Sequence, residues 1–171
     1  GVSYEAGKAF EEFLNKRLKT GTLAVQVVFI PVRRDRILQA LGEGRGDIAV
    51  ANLTVTPERE ALADFSAPVM RGVRELVVTG ADAPSVASPA DLSGRDVYVR
   101  KSSSYFASLT RLNAELQQAG RPPVRVVEAD EQLEDEDLLE MVNAGLVPAT
   151  VVDSHVAGFW KQVFPQIAVH E

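Results

Sequence analysis

Apolar positions along the chain follow two alternating periods. At residues 3–19, Ala6, Phe10, Phe13, Leu14 and Leu18 recur at helical spacing with Glu and Lys between them, which predicts an amphipathic helix. Residues 23–30 form a β-rich apolar run closed by Pro31 and predict a strand. Residues 35–41 predict a short helix with Ile37, Leu38 and Leu41 inward, ending at glycines that can supply positive φ. Residues 48–51 predict a short buried strand. Thr56-Pro57-Glu58 has the form of a helix start: a capping hydroxyl, Pro at the first helical position, then an acid. Residues 75–79 predict another strand.

Residues 80–94, rich in Ala, Pro and Ser, separate two similar halves and have the composition of a crossover. The second half repeats the alternation. Strands are predicted at 97–100, 124–127, 149–152 and 167–169, and helices at 104–119, 133–143 and 154–163. Phe106, Leu109, Leu112 and Leu116 form the inward stripe of the first of these helices, and Gly145 ends the second. Strands alternating with helices imply an α/β fold with a mostly parallel sheet in each half. The expected division is a first lobe at 1–79 and a second at 80–171. In such sheets ligands bind at the carboxyl ends of strands.

Composition narrows the function classes. Of 171 residues, 46% are hydrophobic and 25% charged, an ordinary folded composition. The net charge of −6 argues against a nucleic-acid groove, which needs a basic face, and against docking on anionic lipid. The absence of Cys removes disulfides and thiol catalysis. No apolar run approaches the roughly 20 residues of a membrane helix, so no direct membrane insertion is expected. The chain opens directly on a helical pattern, so a cut inside a longer precursor with a signal peptide is expected.

Three polar segments sit where strands run into helices. Asn52-Leu53-Thr54-Val55-Thr56-Pro57-Glu58-Arg59 leads from a strand end to a helix start, where free N–H groups favour an anion. Thr54 adds a hydroxyl, and Arg59 a planar fork suited to a carboxylate. The same segment reads equally as a capped helix with a surface Arg. Arg100-Lys101-Ser102-Ser103-Ser104 repeats this layout in the second half, as a second polar cradle or as an N-cap with spare serines. Asp153, at a strand's carboxyl end, suits a ligand ammonium or caps the following helix. The acidic stretch from Glu128 to Asp137 lacks calcium-loop spacing and reads as a solvated helix start. His155 and His170 are too few for a zinc site without Cys. No G-x-S-x-G elbow occurs. Trp160 with Phe159 and Phe164 reads as packing.

Thr54-Val55-Thr56-Pro57-Glu58-Arg59 followed by Asp64-Phe65-Ser66-Ala67-Pro68 resembles the family 3 extracellular solute-binding proteins. Gly44-Arg45-Gly46-Asp47-Ile48, Ser3-Tyr4-Glu5 and Ala90-Asp91-Leu92-Ser93-Gly94 fit the same family, so the resemblance covers nearly the whole chain. It implies a type II periplasmic-binding-protein-like fold and capture of a small carboxylate-bearing solute between two lobes, without catalysis, metal or cofactor. Thr54 and Arg59 would bind the ligand carboxylate with help from the Asn52 backbone. Ser102, Ser103 and Ser104 would line the second-lobe turn, and Asp153 would hold an ammonium. The family's opening strand and its closing return to the first lobe lack counterparts, so a truncated first lobe is expected. Val69 and Met70 stand where amino-acid receptors commonly carry Tyr, and Ser103 and Ser104 where Gly and Thr are usual.

The C-terminal half, with Glu140-Met141-Val142-Asn143-Ala144-Gly145, Val151-Val152-Asp153-Ser154, Phe159-Trp160 and Val163-Phe164-Pro165, resembles the solute-binding-like domain of membrane-bound lytic transglycosylases of the F type. This likeness implies a periplasmic or outer-membrane-associated regulatory module for an amino acid or muropeptide, with a catalytic domain C-terminal to it. The alternatives are a stand-alone receptor of an amino-acid transporter and a cyclohexadienyl-dehydratase-like enzyme on the same scaffold.

Overall fold

The structure, a computed structural model, describes residues 2–171. The chain divides into two compact units, Gly1–Phe65 and Ser66–Glu171.

The first unit is built on helix α1 (Val2–Leu18). A 3₁₀ turn (Arg34–Arg36) leads into α2 (Ile37–Gly42), and a single turn, α3 (Pro57–Glu60), follows later. The apolar run at 23–30 was expected to be a strand, but it has no β-ladder partner. It lies along α1 instead. The Asn15 amide donates to Val25 O at 2.8 Å, and Val25 N donates to Asn15 Oδ1 at 2.7 Å. One turn earlier on the helix, Glu11 Oε2 accepts from Val27 N at 2.5 Å. One turn earlier again, Gly7 faces the Phe29 ring, where an added Cβ would come within 2.5 Å of Phe29 Cζ. The steps match because four helical residues rise about 6 Å, close to two extended residues at about 6.6 Å. The segment is thus extended, with side chains of α1 doing what a neighbouring strand would do for Val25 and Val27.

The expected strand at 48–51 is likewise not paired. Arg34 Nη1 donates to Ala51 O at 2.9 Å, and the backbone then turns at Asn52 with φ of 47°. Asn tolerates that left-handed conformation better than most residues. Among the described residues this unit forms no sheet, and Ala40 is its one buried hydrophobic residue.

The second unit holds the sheet. Its strands are β1 (Glu75–Gly80), β2 (Asp96–Arg100), β3 (Arg125–Ala129), β4 (Ala149–Asp153) and β5 (Ile167–His170). They lie in the order β3-β2-β4-β1-β5. β2 runs parallel to β3 and β4, while β1 is antiparallel to both β4 and β5, so four strands share one direction and β1 opposes them. The strand at 75–79, expected as the last of the first lobe, therefore lies inside this sheet.

Alternation along the strands sends side chains to opposite faces. Val97, Val99 and Val151 pack with Leu109 and Leu116 of α4 (Ser104–Gln118). Leu76, Val78 and Val152 pack with Leu139 and Val142 of α5 (Asp135–Asn143) and Ala157 of α6 (Ser154–Trp160). β4 is buried along its whole length, as a central strand covered on both faces should be. The helix expected at 154–163 stops at Trp160 and passes into a turn. Asn113 of α4 clamps Val124 as Asn15 clamps Val25, donating to its carbonyl at 3.0 Å and accepting from its N–H at 2.7 Å.

From β2 the chain passes through α4 to β3 on one side, then through α5 back to β4 on the other. The sheet order therefore switches between β2 and β4. In open α/β sheets the crevice at the carboxyl ends of such a strand pair is the usual ligand position.

Candidate functional site

In the first unit the chain from Ala51 to Glu60 gathers the residues expected to meet a carboxylate. Arg34 holds the Ala51 and Asn52 carbonyls, the second at 3.4 Å from Nη2. Thr56 caps α3 by accepting from Arg59 N at 3.3 Å, with Pro57 at the first helical position. Arg59 Nη1 donates to Thr54 O at 2.8 Å. This hydrogen bond brings the guanidinium to the loop that carries Thr54, so these two residues are neighbours. The helix is one turn long, so its dipole is small, and the positive charge along this segment comes from the Arg59 and Arg34 guanidiniums.

In the second unit the switch between β2 and β4 places Arg100 and Asp153 at adjacent strand ends. Arg100 is 2% exposed and heavily paired. Its Nη1 donates to Leu133 O at 2.6 Å and to Glu134 Oε2 at 3.0 Å, and its Nη2 to Asp135 Oδ1. The other Asp135 oxygen accepts from the Tyr105 hydroxyl at 3.0 Å, and that hydroxyl accepts from Asp153 N at 3.1 Å. Burial first, then the carboxylates of Asp135 and Asp153, push the Tyr105 phenol far above its ordinary range, so it stays a neutral donor. Asp153 is 8% exposed and stands at the N-cap position of α6, but its side chain makes no capping hydrogen bond. The capping alternative read from sequence is thus not what its carboxylate does.

The three serines act separately. Ser102 gives its N–H to Glu131 Oε1 at 2.9 Å and its hydroxyl to Oε2 at 2.5 Å. Ser103 caps α4, accepting from Phe106 N at 3.3 Å and donating to Arg100 O at 2.7 Å. Ser104 opens the helix.

Sequence reasoning missed Tyr105, Glu131 and Asp135 in this arrangement. It also took the acidic stretch for a solvated helix start. In fact Glu131 clasps Ser102, Glu134 and Asp135 hold Arg100, Glu128 pairs with Lys101 at 3.1 Å, and Asp137 accepts from Glu134 N at 2.7 Å in a capping box. The usable signal was an Arg-Lys pair ending a buried strand, which demands counter-charges from somewhere. Trp160 stacks on Phe164 with centroids 5.0 Å apart and packs on the core, as expected, while Phe159 is exposed. Among the described residues no cluster of three or more His, Asp and Glu is placed to hold a metal, and no helix is long and apolar enough to cross a membrane.

The family model of the bacterial extracellular solute-binding proteins, family 3, matches residues 1–150. The chain belongs to this family. Membrane-bound lytic murein transglycosylase F of Desulfosudis oleivorans is 30% identical over 169 residues, which is 99% of this chain and 34% of that protein. The chain thus spans about a third of the length of this relative. An ancestral arginine-binding protein bound to arginine superposes with a TM-score of 0.71 at 27% identity, over 92% of this chain and 64% of the other. An ancestral arginine-binding protein bound to glutamine gives 0.69 at 26%, over 92% and 63%.

Proposed function

We propose that this family 3 domain binds an amino acid or a cell-wall peptide and serves as the regulatory module of a lytic transglycosylase. In this reading Arg59 and Thr54, with the Asn52 backbone, take the ligand carboxylate. Asp153 takes the ammonium, and Ser103 and Ser104 shape the turn beside it. The observation that carries the reading is the Arg59–Thr54 hydrogen bond at 2.8 Å, which holds a planar cationic fork against the loop expected to bind an anion. Ligand capture selects one state of the protein. The transglycosylase role rests on relatives about three times as long, whose further length would carry a catalytic domain C-terminal to this one. Location on the periplasmic side of a membrane follows from the same kinship. The domain itself acts by binding.

Calorimetry on the 171-residue chain with L-arginine, L-glutamine and cell-wall tripeptide and tetrapeptide stems tests the proposal. Arg59→Ala should weaken binding by about 2–4 kcal/mol, roughly 30-fold to several-hundredfold, with Arg59→Lys recovering only part. Equal binding by wild type and Arg59→Ala would remove Arg59 from the site.

A further inference from the structure

The turn between β2 and α4 already holds an anion. Both donors of Ser102 end on the two oxygens of one carboxylate, that of Glu131, at 2.9 and 2.5 Å. A backbone N–H beside a hydroxyl, at the entry of a 15-residue helix, is the donor set a ligand carboxylate would use. Here the protein supplies the carboxylate from the loop after β3, 29 residues away in sequence. Two hydrogen bonds within that loop hold its turn around Glu131. Asp130 Oδ1 accepts from Gln132 N at 2.9 Å, and Asp130 O from Leu133 N at 3.1 Å. The cations of the turn are committed as well, Lys101 to Glu128 and Arg100 to Glu134 and Asp135. An incoming second carboxylate would therefore meet Glu131 and gain no new cation.

We propose that Glu131 is a specificity-determining residue: its carboxylate fills the anion position at Ser102 and excludes ligands that carry a second carboxylate. The proposal rests on the solute-binding reading above and adds to it which solutes are refused. Glu131 acts by charge and by occupancy together, because a ligand anion must both displace it and sit near it. The two contributions separate on substitution. Glu131→Gln keeps the shape and loses the charge, while Glu131→Ala loses both.

The test is calorimetric titration of the full chain with L-glutamine and L-glutamate, which differ only by an amide against a carboxylate. Wild type should prefer L-glutamine by roughly a hundredfold or more, the scale of an uncompensated like-charge contact. Glu131→Ala should shrink that preference at least about tenfold by tightening L-glutamate, and Glu131→Gln should move it the same way by less. Trp160 fluorescence confirms that each variant is folded. If both variants keep the wild-type preference while L-glutamine binding is intact, Glu131 does not set specificity and the solute-binding reading stands. A wild type that binds both amino acids equally also overturns the proposal. If neither amino acid binds to any of the three proteins, the amino-acid reading fails and the proposal with it.

Discussion

Truncating Asp135 to alanine strips the buried Arg100 guanidinium of its most enclosed counter-charge. Arg100 is 2% exposed, and the Asp135 side chain is 15% exposed against 48% for Glu134. After the substitution, the guanidinium keeps the Leu133 carbonyl and the half-exposed Glu134, and the Tyr105 hydroxyl loses its acceptor. Breaking a buried ion pair from one side costs about 3–5 kcal/mol, because the remaining charge stays out of water. The lost Tyr105 bond to a charged group would by itself be worth about 1.5–3 kcal/mol. The two losses share one carboxylate and one network, so they do not add, and Glu134 offsets part of the total. The expected destabilisation is about 3–5 kcal/mol. Arg100→Met should cost less, about 1–3 kcal/mol, because the carboxylates it abandons can reach solvent and the thioether chain fills the stem's space. Urea unfolding followed by the single Trp, which lies in the second unit, measures both, provided the slope with denaturant is unchanged. A loss under about 1 kcal/mol for Asp135→Ala, or a larger loss for Arg100→Met, would refute the argument from buried charge.

His170 should tie stability to mild acid. Val86 N donates to its Nδ1 at 3.2 Å, which leaves Nε2–H to donate to Thr79 Oγ1 at 2.8 Å, and that hydroxyl donates to Gly80 O at 3.0 Å. Burial first, then the charges of Arg95 and Lys161, hold its pKa below the ordinary 6.5, so the folded state keeps the ring neutral where the unfolded chain would protonate it. The contribution is complete above the unfolded value and is lost as pH falls below it toward the folded value. Urea midpoints between about pH 5 and 7 should decline on acidification in wild type and do so less steeply in His170→Gln, and parallel slopes would count against a role for the neutral His170 ring. Asn113→Leu leaves Val124, 3% exposed, with both backbone groups unmet, and should cost about 2–4 kcal/mol by the same denaturation assay. A neutral result would mean that water or a neighbour replaces the amide.

Most elements of the second unit were legible in the residues themselves. Its strands and helices fall within a few residues of the positions that alternation and helical spacing mark out, because each buries its own apolar face on one sheet. The helix start at Thr56-Pro57 and the cap at Ser103 were equally local, since a cap is made by residues three apart. Strand pairing was not local. The runs at 23–30 and 48–51 have β composition, yet a strand exists only where a neighbour accepts its ladder. In the first unit Asn15, Glu11 and Arg34 take the backbone groups instead.

The candidate site divides in the same way. Sequence determined which residues stand at helix starts, Thr54 to Arg59, Ser102 to Ser104 and Asp153, because motif and turn chemistry are written in neighbouring positions. Only the tertiary structure decided that Glu131, a residue of an apparently solvated acidic run, closes on Ser102. It likewise decided that Tyr105 and Asp135 link Asp153 to Arg100. Those links join residues about 30 to 50 positions apart, and they form where the fold sets the ends of β2 and β4 side by side: the buried Arg100 takes its counter-charge from Asp135, and Tyr105 joins that carboxylate to the Asp153 N–H.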